Sequence, residues 1–289
     1  MLDTSSPTDW PALSLRYGML EDTRLAPNAL VRSAVFSTLE FSGGAERPEI
    51  AEPLPLKAIK PYVIVQVGGV RLSQTDADLF FWLLSRAYRY GAPKSDASVY
   101  FKRGEALSEL GRKRGGKTDA LLEESLQRLY GADFTYELPG ITGRSRLLSS
   151  IERFDDADKP YDYKVMVSSG VADLLADGEW LVMQGKVKKQ LARDPLARGL
   201  YAFYESHKTV FPMFSGTLKE LMGRQSMQES KWLHALEAAL AKIQAATGWF
   251  QLELVKTGDL AGKVVFVKGA TGRRRTKRRP ESEQPPELS

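Results

Sequence analysis

The chain has 289 residues, 43% hydrophobic and 27% charged, with twelve Phe, eleven Tyr and five Trp. That is material for packed cores, enough for two ordinary domains, and it excludes a chain disordered throughout. Cysteine is absent, which removes disulfides, thiolate nucleophiles and cysteine-bearing zinc sites; the two histidines, His207 and His234, lack paired ligand spacing, so no metal is expected. The net charge is +5, but residues 273–289 hold six basic against three acidic residues, so any nucleic-acid surface on the rest must come from local clustering.

The start, MLDTSSPTDW, lacks the basic residues and apolar run of a secretory signal. The longest strongly apolar stretch, LFFWLL at 79–84, is far short of the ~20 residues that cross a bilayer, so a cytoplasmic protein is expected. Residues 1–30, with Pro7, Pro11 and Pro27, read as an N-terminal arm, and FSGGAERPEIAEPLPL at 41–56 as a second extended segment. The alternating YVIVQV at 62–67, then Gly68, Gly69 and VRL, is a hairpin signal.

From Gln74 to Arg89, Leu79, Phe80, Leu83, Leu84 and Ala87 recur at helical spacing, with Thr75 and Asp78 as an approximate cap and acidic partner. VYF at 99–101 is a short strand, EALSELG a short helix and KTDALLEESLQRLYG at 117–131 a longer one. FTYEL and RLLSSIERF then read as two strands around a turn at 139–143. A similar order returns. DPLARGLYAFYESH is a helix, FPMF a strand, TLKELMG a short helix, ESKWLHALEAALAKIQ a longer one, and WFQLEL with KVVFVK a hairpin. LSELGR at 107–112 aligns with LKELMGR at 218–224, and GADFTYEL at 131–138 with GWFQLEL at 248–254. A near-constant offset of this size indicates duplicated domains. The expected fold is α+β: two tandem winged-helix domains at 31–158 and 159–270, an arm at 1–30 and a disordered basic tail at 271–289. The Asp155, Asp156, Asp158 cluster lacks the glycine and terminal glutamate of a calcium loop and reads as the turn between the domains.

GRKRGGKT at 111–118 satisfies the G-x-x-x-x-G-K-[ST] phosphate-loop pattern. Such a loop needs a buried strand before its first glycine. Here the preceding EALSEL is a helix pattern, and the aligned second-half segment, GRQSMQES, lacks the lysine-threonine pair. What the copies share is the turn of a helix-turn-helix, so no enzyme, catalytic residue or cofactor is expected. Arg112, Lys113, Arg114, Lys117 and Thr118 form a basic turn at a helix N-terminus, suited to DNA phosphate. The outward positions of that helix include Asp119, Glu123 and Glu124, so it enters a groove only by its tip. The second long helix offers Gln228, Ser230, Lys231 and His234, with Arg224 and Gln225 in its turn, a mixed donor and acceptor set of the kind that reads base edges. Arg144 and Arg146 in the first hairpin, and Lys256 and Lys263 in the second, are candidate wing contacts.

PNALVRSAVFSTLEF at 27–41, GGVRLSQTDADLFFWLLSRAYR at 68–89, ELGRKRGGKTDALLEESLQRL at 109–129, ARGLYAFYESH at 197–207 and LKELMGRQSMQESKWLHALEAAL at 218–240 together resemble the TrfA-type plasmid replication initiators, one group of the paired winged-helix Rep proteins. The resemblance implies a protein that binds direct repeats (iterons) at a plasmid origin, helps open an AT-rich segment, and recruits the host initiator DnaA and the replicative helicase. It also implies exchange between a monomer and a homodimer. Family members can carry a sliding-clamp motif, Gln-Leu-Ser-Leu-Phe; Leu13, Ser14 and Leu15 fit its middle and are the clamp or single-strand contacts the resemblance implies, while Ala12 and Arg16 replace its anchors. A winged-helix transcriptional repressor is the alternative from another class.

Overall fold

The computed structural model describes residues 22–41, 47–89, 97–156, 158–175, 179–207 and 211–269. The arm element Leu13, Ser14, Leu15 and the basic tail lie outside the described residues.

The chain begins with β1 (Thr23–Pro27), a one-turn α1 (Asn28–Val31) and β2 (Phe36–Ser37). β3 (Leu54–Leu56), β4 (Val63–Gly68) and β5 (Leu72–Ser73) precede α2 (Gln74–Ala87). Next come β6 (Ala97–Phe101), α3 (Arg103–Glu109), α4 (Gly116–Gly131), β7 (Asp133–Leu138), β8 (Ile141–Arg146), β9 (Leu148–Arg153) and β10 (Tyr163–Val167). A connecting region holds α5 (Gly170–Leu174), β11 (Trp180–Gln184) and α6 (Gly185–Gln190). The last part is α7 (Pro195–Glu205), β12 (Met213–Phe214), α8 (Ser215–Leu221), α9 (Glu229–Thr247), β13 (Gln251–Leu254) and β14 (Lys263–Val267). The class is mixed α+β.

One group of elements occurs twice. α2, α3 and α4 accompany a sheet of order β6-β10-β9; α7, α8 and α9 accompany one of order β12-β14-β13. In both, the strand after the first helix lies on an edge and the last strand in the middle. Each first helix is tied at its start to its long helix by an acid and a base. Asp76, fully buried, meets Arg128 at 3.0 Å; Asp194 accepts from the Ala197 N–H at 3.0 Å and meets Lys242 at 2.7 Å. Inside the first group α2 buries Leu79, Phe80, Phe81, Leu83 and Leu84; at roughly 1.5–3 kcal/mol each, this face holds the helix in place.

Three expectations change. VRL does not fold back on β4: β4 pairs with β3 and β7, while Leu72 and Ser73 pair in parallel with Phe36 and Ser37. The cap of α2 sits two residues earlier. The Ser73 N–H donates to Asp76 at 2.9 Å, completing a capping box; Thr75 and Asp78 have the same spacing, but Asp78 is drawn into the contact between the halves. FTYEL and RLLSSIERF are not partners either. β7 turns at once into β8 and joins the sheet β3-β4-β7-β8, whereas β9 pairs with β10. The counterpart of β13 by sheet position is therefore β9 and not β7. Alternation marks a strand and says little about its partner, since strand preference follows the neighbours a residue meets.

The two groups share one core. α2 packs on α7; Asp78 of α2 meets Arg198 of α7, and its other oxygen lies 2.9 Å from Lys188 of α6. Lys188 and Arg198 are 5% and 6% exposed. Burial alone would raise the Asp78 carboxyl, but the two cations hold it below the usual carboxylate range. β1 pairs with β11, and the Leu25 N–H donates to Ser85 of α2 at 2.6 Å.

Candidate nucleic-acid interface

Both long helices are entered through the same backbone turn. Leu110 caps α3, and Gly111 follows at φ +68°; its N–H donates to Ser108 O at 2.9 Å and the Arg112 N–H to Leu107 O at 2.8 Å. Met222 caps α8, and Gly223 follows at φ +69°; its N–H donates to Glu220 O at 3.0 Å and the Arg224 N–H to Lys219 O at 2.9 Å. Glycine is required because φ is positive, and at Gly223 a Cβ would also stand 2.6 Å from Ser37 Oγ.

Both turn arginines point inward. Arg112 is partly buried with Nη2 3.5 Å from Thr75 Oγ1. Arg224 donates from Nε to Thr38 Oγ1 and from Nη2 to Thr38 O, both at 2.8 Å. Sequence reasoning assigned both to DNA, and it missed Thr38, whose partner lies 186 residues away. The outward charges of the first turn are Lys113, Arg114 and Lys117, all exposed. Thr118 Oγ1 donates to Lys113 O and Gly115 O at 2.8 Å, bracing the turn from within. The phosphate-loop pattern stands after a helix, α3, and not after a buried strand.

The outer faces of the long helices differ. Gln228 immediately precedes α9, on which Ser230, Lys231 and His234 lie on one side that continues as the small residues Ala238 and Ala241; all six are exposed. Gln225 is exposed in the turn, its Nε2 3.4 Å from Glu220 O. On α4 Asp119 and Glu123 are both held by Arg103 at 3.4 Å, Glu123 also by Arg153 at 2.9 Å, and Glu124 by Arg128 at 3.4 Å. Arg47, Pro48 and Glu49 line a groove along α4 with Ala120, Glu124 and Gln127, so the body of this helix is flanked and its N-terminal end is open.

The candidate wing residues are dispersed. Arg144 and Arg146 lie at the base of the β7–β8 hairpin: Arg146 pairs with Asp133 in register, and the tip falls between Leu138 and Ile141. The Arg144 side chain is bound to Asp133 at 2.8 Å, and Arg146 lies 5.3 Å from the Tyr130 ring centre. By sheet position the counterpart of the β13–β14 loop is the loop between β9 and β10, which carries Asp155, Asp156 and Asp158; the expected interdomain turn is thus a hairpin inside the first group. Lys256 and Lys263 do flank the β13–β14 loop, Lys256 meeting Glu237 at 2.8 Å and Lys263 lying 4.8 Å from the Phe214 ring centre.

Among the described residues no cluster of three His, Asp or Glu side chains suits a metal, and no helix is long and apolar enough to cross a membrane.

No family model matches the chain. Over 233 residues, 77% of this chain and 57% of the relative, it is 23% identical to the plasmid replication initiator protein TrfA of Escherichia coli. The chain therefore spans little more than half the length of that relative, of which it is a distant homologue. A crystal structure of domains 2 and 3 of RctB superposes with a TM-score of 0.50 at 18% identity, covering 78% of this chain and 91% of the other. A second crystal structure of these domains gives 0.49 at 17% identity, covering 79% and 94%. The chain is thus replication-initiator-like in sequence, with the fold of RctB domains 2 and 3.

Proposed function

We propose that the chain is a non-enzymatic replication initiator, built as two tandem winged-helix domains, that binds direct repeats at a plasmid origin from the cytoplasm. The observation that carries the reading is the repeated Gly-Arg turn, Gly111-Arg112 and Gly223-Arg224, feeding two long helices on one shared core. The distant homology to a plasmid initiator supports it. The first domain extends through β10 to Val167, since that strand fills the middle of its sheet; the second runs from α7 through β14.

In this reading Lys113, Arg114 and Lys117 anchor the first domain to phosphates, aided by the positive end of α4. Gln228, Ser230, Lys231 and His234 enter the major groove and read base edges, with Gln225 beside them. Arg112 and Arg224 hold the turns in place. Lys256 and Lys263 are the surviving wing candidates. Host partners follow from the initiator reading: DnaA, the replicative helicase, and the sliding clamp if the 12–16 element engages it.

The test is footprinting on the DNA around the chain's own gene, where protection of direct repeats spaced by one helical turn or a multiple is expected. Absence of any protected repeat overturns the reading. Supplying the gene in trans to a plasmid that carries only the candidate origin separates initiator from repressor: maintenance marks the initiator, and promoter binding without maintenance the repressor.

A further inference from the structure

We infer that α6 and the turn after it form a third DNA-binding surface, a basic bridge along the phosphate backbone between the two reading heads; this deepens the origin-binding reading and rests on it. α6 is short and amphipathic. Val187 and Lys188 of the helix and Leu191 just after it are buried, while Lys186, Lys189 and Gln190 of the helix and Arg193 of the following turn are exposed. Between Gly185 and Arg193 there is no acidic residue and no exposed large apolar one. Such a surface suits a polyanion and not a hydrophobic partner.

Its place in the fold identifies the polyanion. Lys189 Cγ lies 3.9 Å from where a Cβ on Gly111 would stand, and Lys189 Nζ lies 3.5 Å from Glu109 at the end of α3. The helix therefore abuts the first recognition turn, whose exposed charges are Lys113, Arg114 and Lys117. At its other end the chain passes through Asp194, which holds Lys242 on α9. Lys189 is engaged by Asp22 at 3.3 Å as well as by Glu109, whereas Lys186 and Arg193 have no acidic partner among the described residues.

The surface is also fixed in position. Lys188, on the inner side of the same helix, is locked to Asp78 beneath it at 2.9 Å. A basic surface already held between two reading heads meets a backbone without first being ordered, which removes a cost that flexible linkers incur on binding.

The experiment uses the full chain and a 40-base-pair duplex of random sequence, with affinity followed by fluorescence anisotropy across a salt series. In the double variant Lys186→Gln, Arg193→Gln the plot of log affinity against log salt should become shallower by about two units, close to 0.9 for each phosphate left without its cation. Both positions are exposed, so the melting temperature should not move. An unchanged slope in this variant, with a shallower slope in Lys113→Gln, Lys117→Gln, overturns the bridge and leaves the DNA reading standing. If the unaltered chain binds neither this duplex nor any repeat near its gene, the origin-binding reading fails and the bridge with it.

Discussion

The Arg224 guanidinium of the turn between α8 and α9 grips Thr38 twice, at the hydroxyl and at the backbone carbonyl, both at 2.8 Å. Thr38 returns its own N–H to Met222 O at 3.0 Å. One residue after β2, itself paired to the strand that leads into α2, therefore braces the turn that enters α9. Burial lowers the proton affinity of the Arg224 guanidinium, opposed by Asp194 and Glu40. Arg224→Ala and Thr38→Val should each destabilise the chain, by about 1–3 kcal/mol for polar groups left unpaired. A double-mutant cycle by urea unfolding should show a coupling of about 0.5–3 kcal/mol. Additive effects would mean the grip is incidental.

The two heads should separate by the kind of binding they lose. Lys113→Ala or Lys117→Ala is expected to weaken specific and random duplexes alike and to make the salt slope shallower by about one unit. Gln228→Ala or Lys231→Ala should instead change base preference, costing about 1–3 kcal/mol at a contacted pair. Selection from a randomised duplex pool distinguishes these outcomes, and a changed preference on substituting Lys113 would reverse the assignment.

The acidic β9–β10 loop leads to an opposite expectation from that for a basic wing. Asp155→Asn with Asp156→Asn should strengthen binding to random duplex at low salt, an effect that fades as the Debye length shortens. Arg144→Ala, whose charge is already matched by Asp133, should leave the salt slope where it was. Anisotropy titrations at two salt concentrations check both.

Between the domains, Asp78 is the one carboxylate among the described residues that meets both Lys188 and Arg198. Asp78→Asn strands two buried cations and should cost about 3–5 kcal/mol, whereas Lys188→Met leaves the Asp78 and Arg198 pair and fills the same volume at much smaller cost. Equal losses in urea unfolding would show that the cluster does not act through charge.

His207, at the end of α7, is packed on Phe203, and its Nδ1 lies 2.7 Å from Phe203 O. Burial pushes its imidazole below the ordinary range; the Phe203 carbonyl opposes this and the nearby Arg32 and Lys268 charges reinforce it. The folded chain then binds fewer protons than the unfolded one, so stability should fall as pH drops from the unfolded histidine value, ~6.5, toward the lowered folded value, and His207 contributes no further change below it. His207→Gln should remove that part of the pH dependence in thermal melts between pH 7 and 5.

Helices were legible in the sequence because their apolar spacing is local: Leu122, Leu126 and Leu129 of α4, and Leu236, Leu240 and Ile243 of α9, are buried as one face each, with Leu233 of the same spacing only partly buried. The Gly-Arg repeat was legible too, because a positive φ restricts the residue that can occupy it. What escaped was decided at long range. FTYEL and the LSSIER of RLLSSIERF are equally good strands, and β7 joins β4 while β9 joins β10 in a different sheet. The inward turn of Arg112 and Arg224 escaped for a related reason, since a basic residue in a recognition turn and a basic residue bracing that turn have the same spacing and charge. The segment at 185–193 drew no attention because it belongs to neither repeat.

The grip of Arg224 on Thr38 has a consequence for how the molecule is made. Thr38 leaves the ribosome 186 residues ahead of its partner, and β1 waits almost as long for β11, whose pairing of Thr23 with Gln184 closes a span of 161 residues. The opening segment therefore emerges uncommitted, and these steps of folding await the synthesis of Gln184 and Arg224. Pairings this distant slow folding and leave partly built sheets exposed in the meantime. Refolding should accordingly end in a slow phase seen by probes in both groups of elements, and a chain severed between β10 and α7 should yield two fragments that each lack part of the shared core.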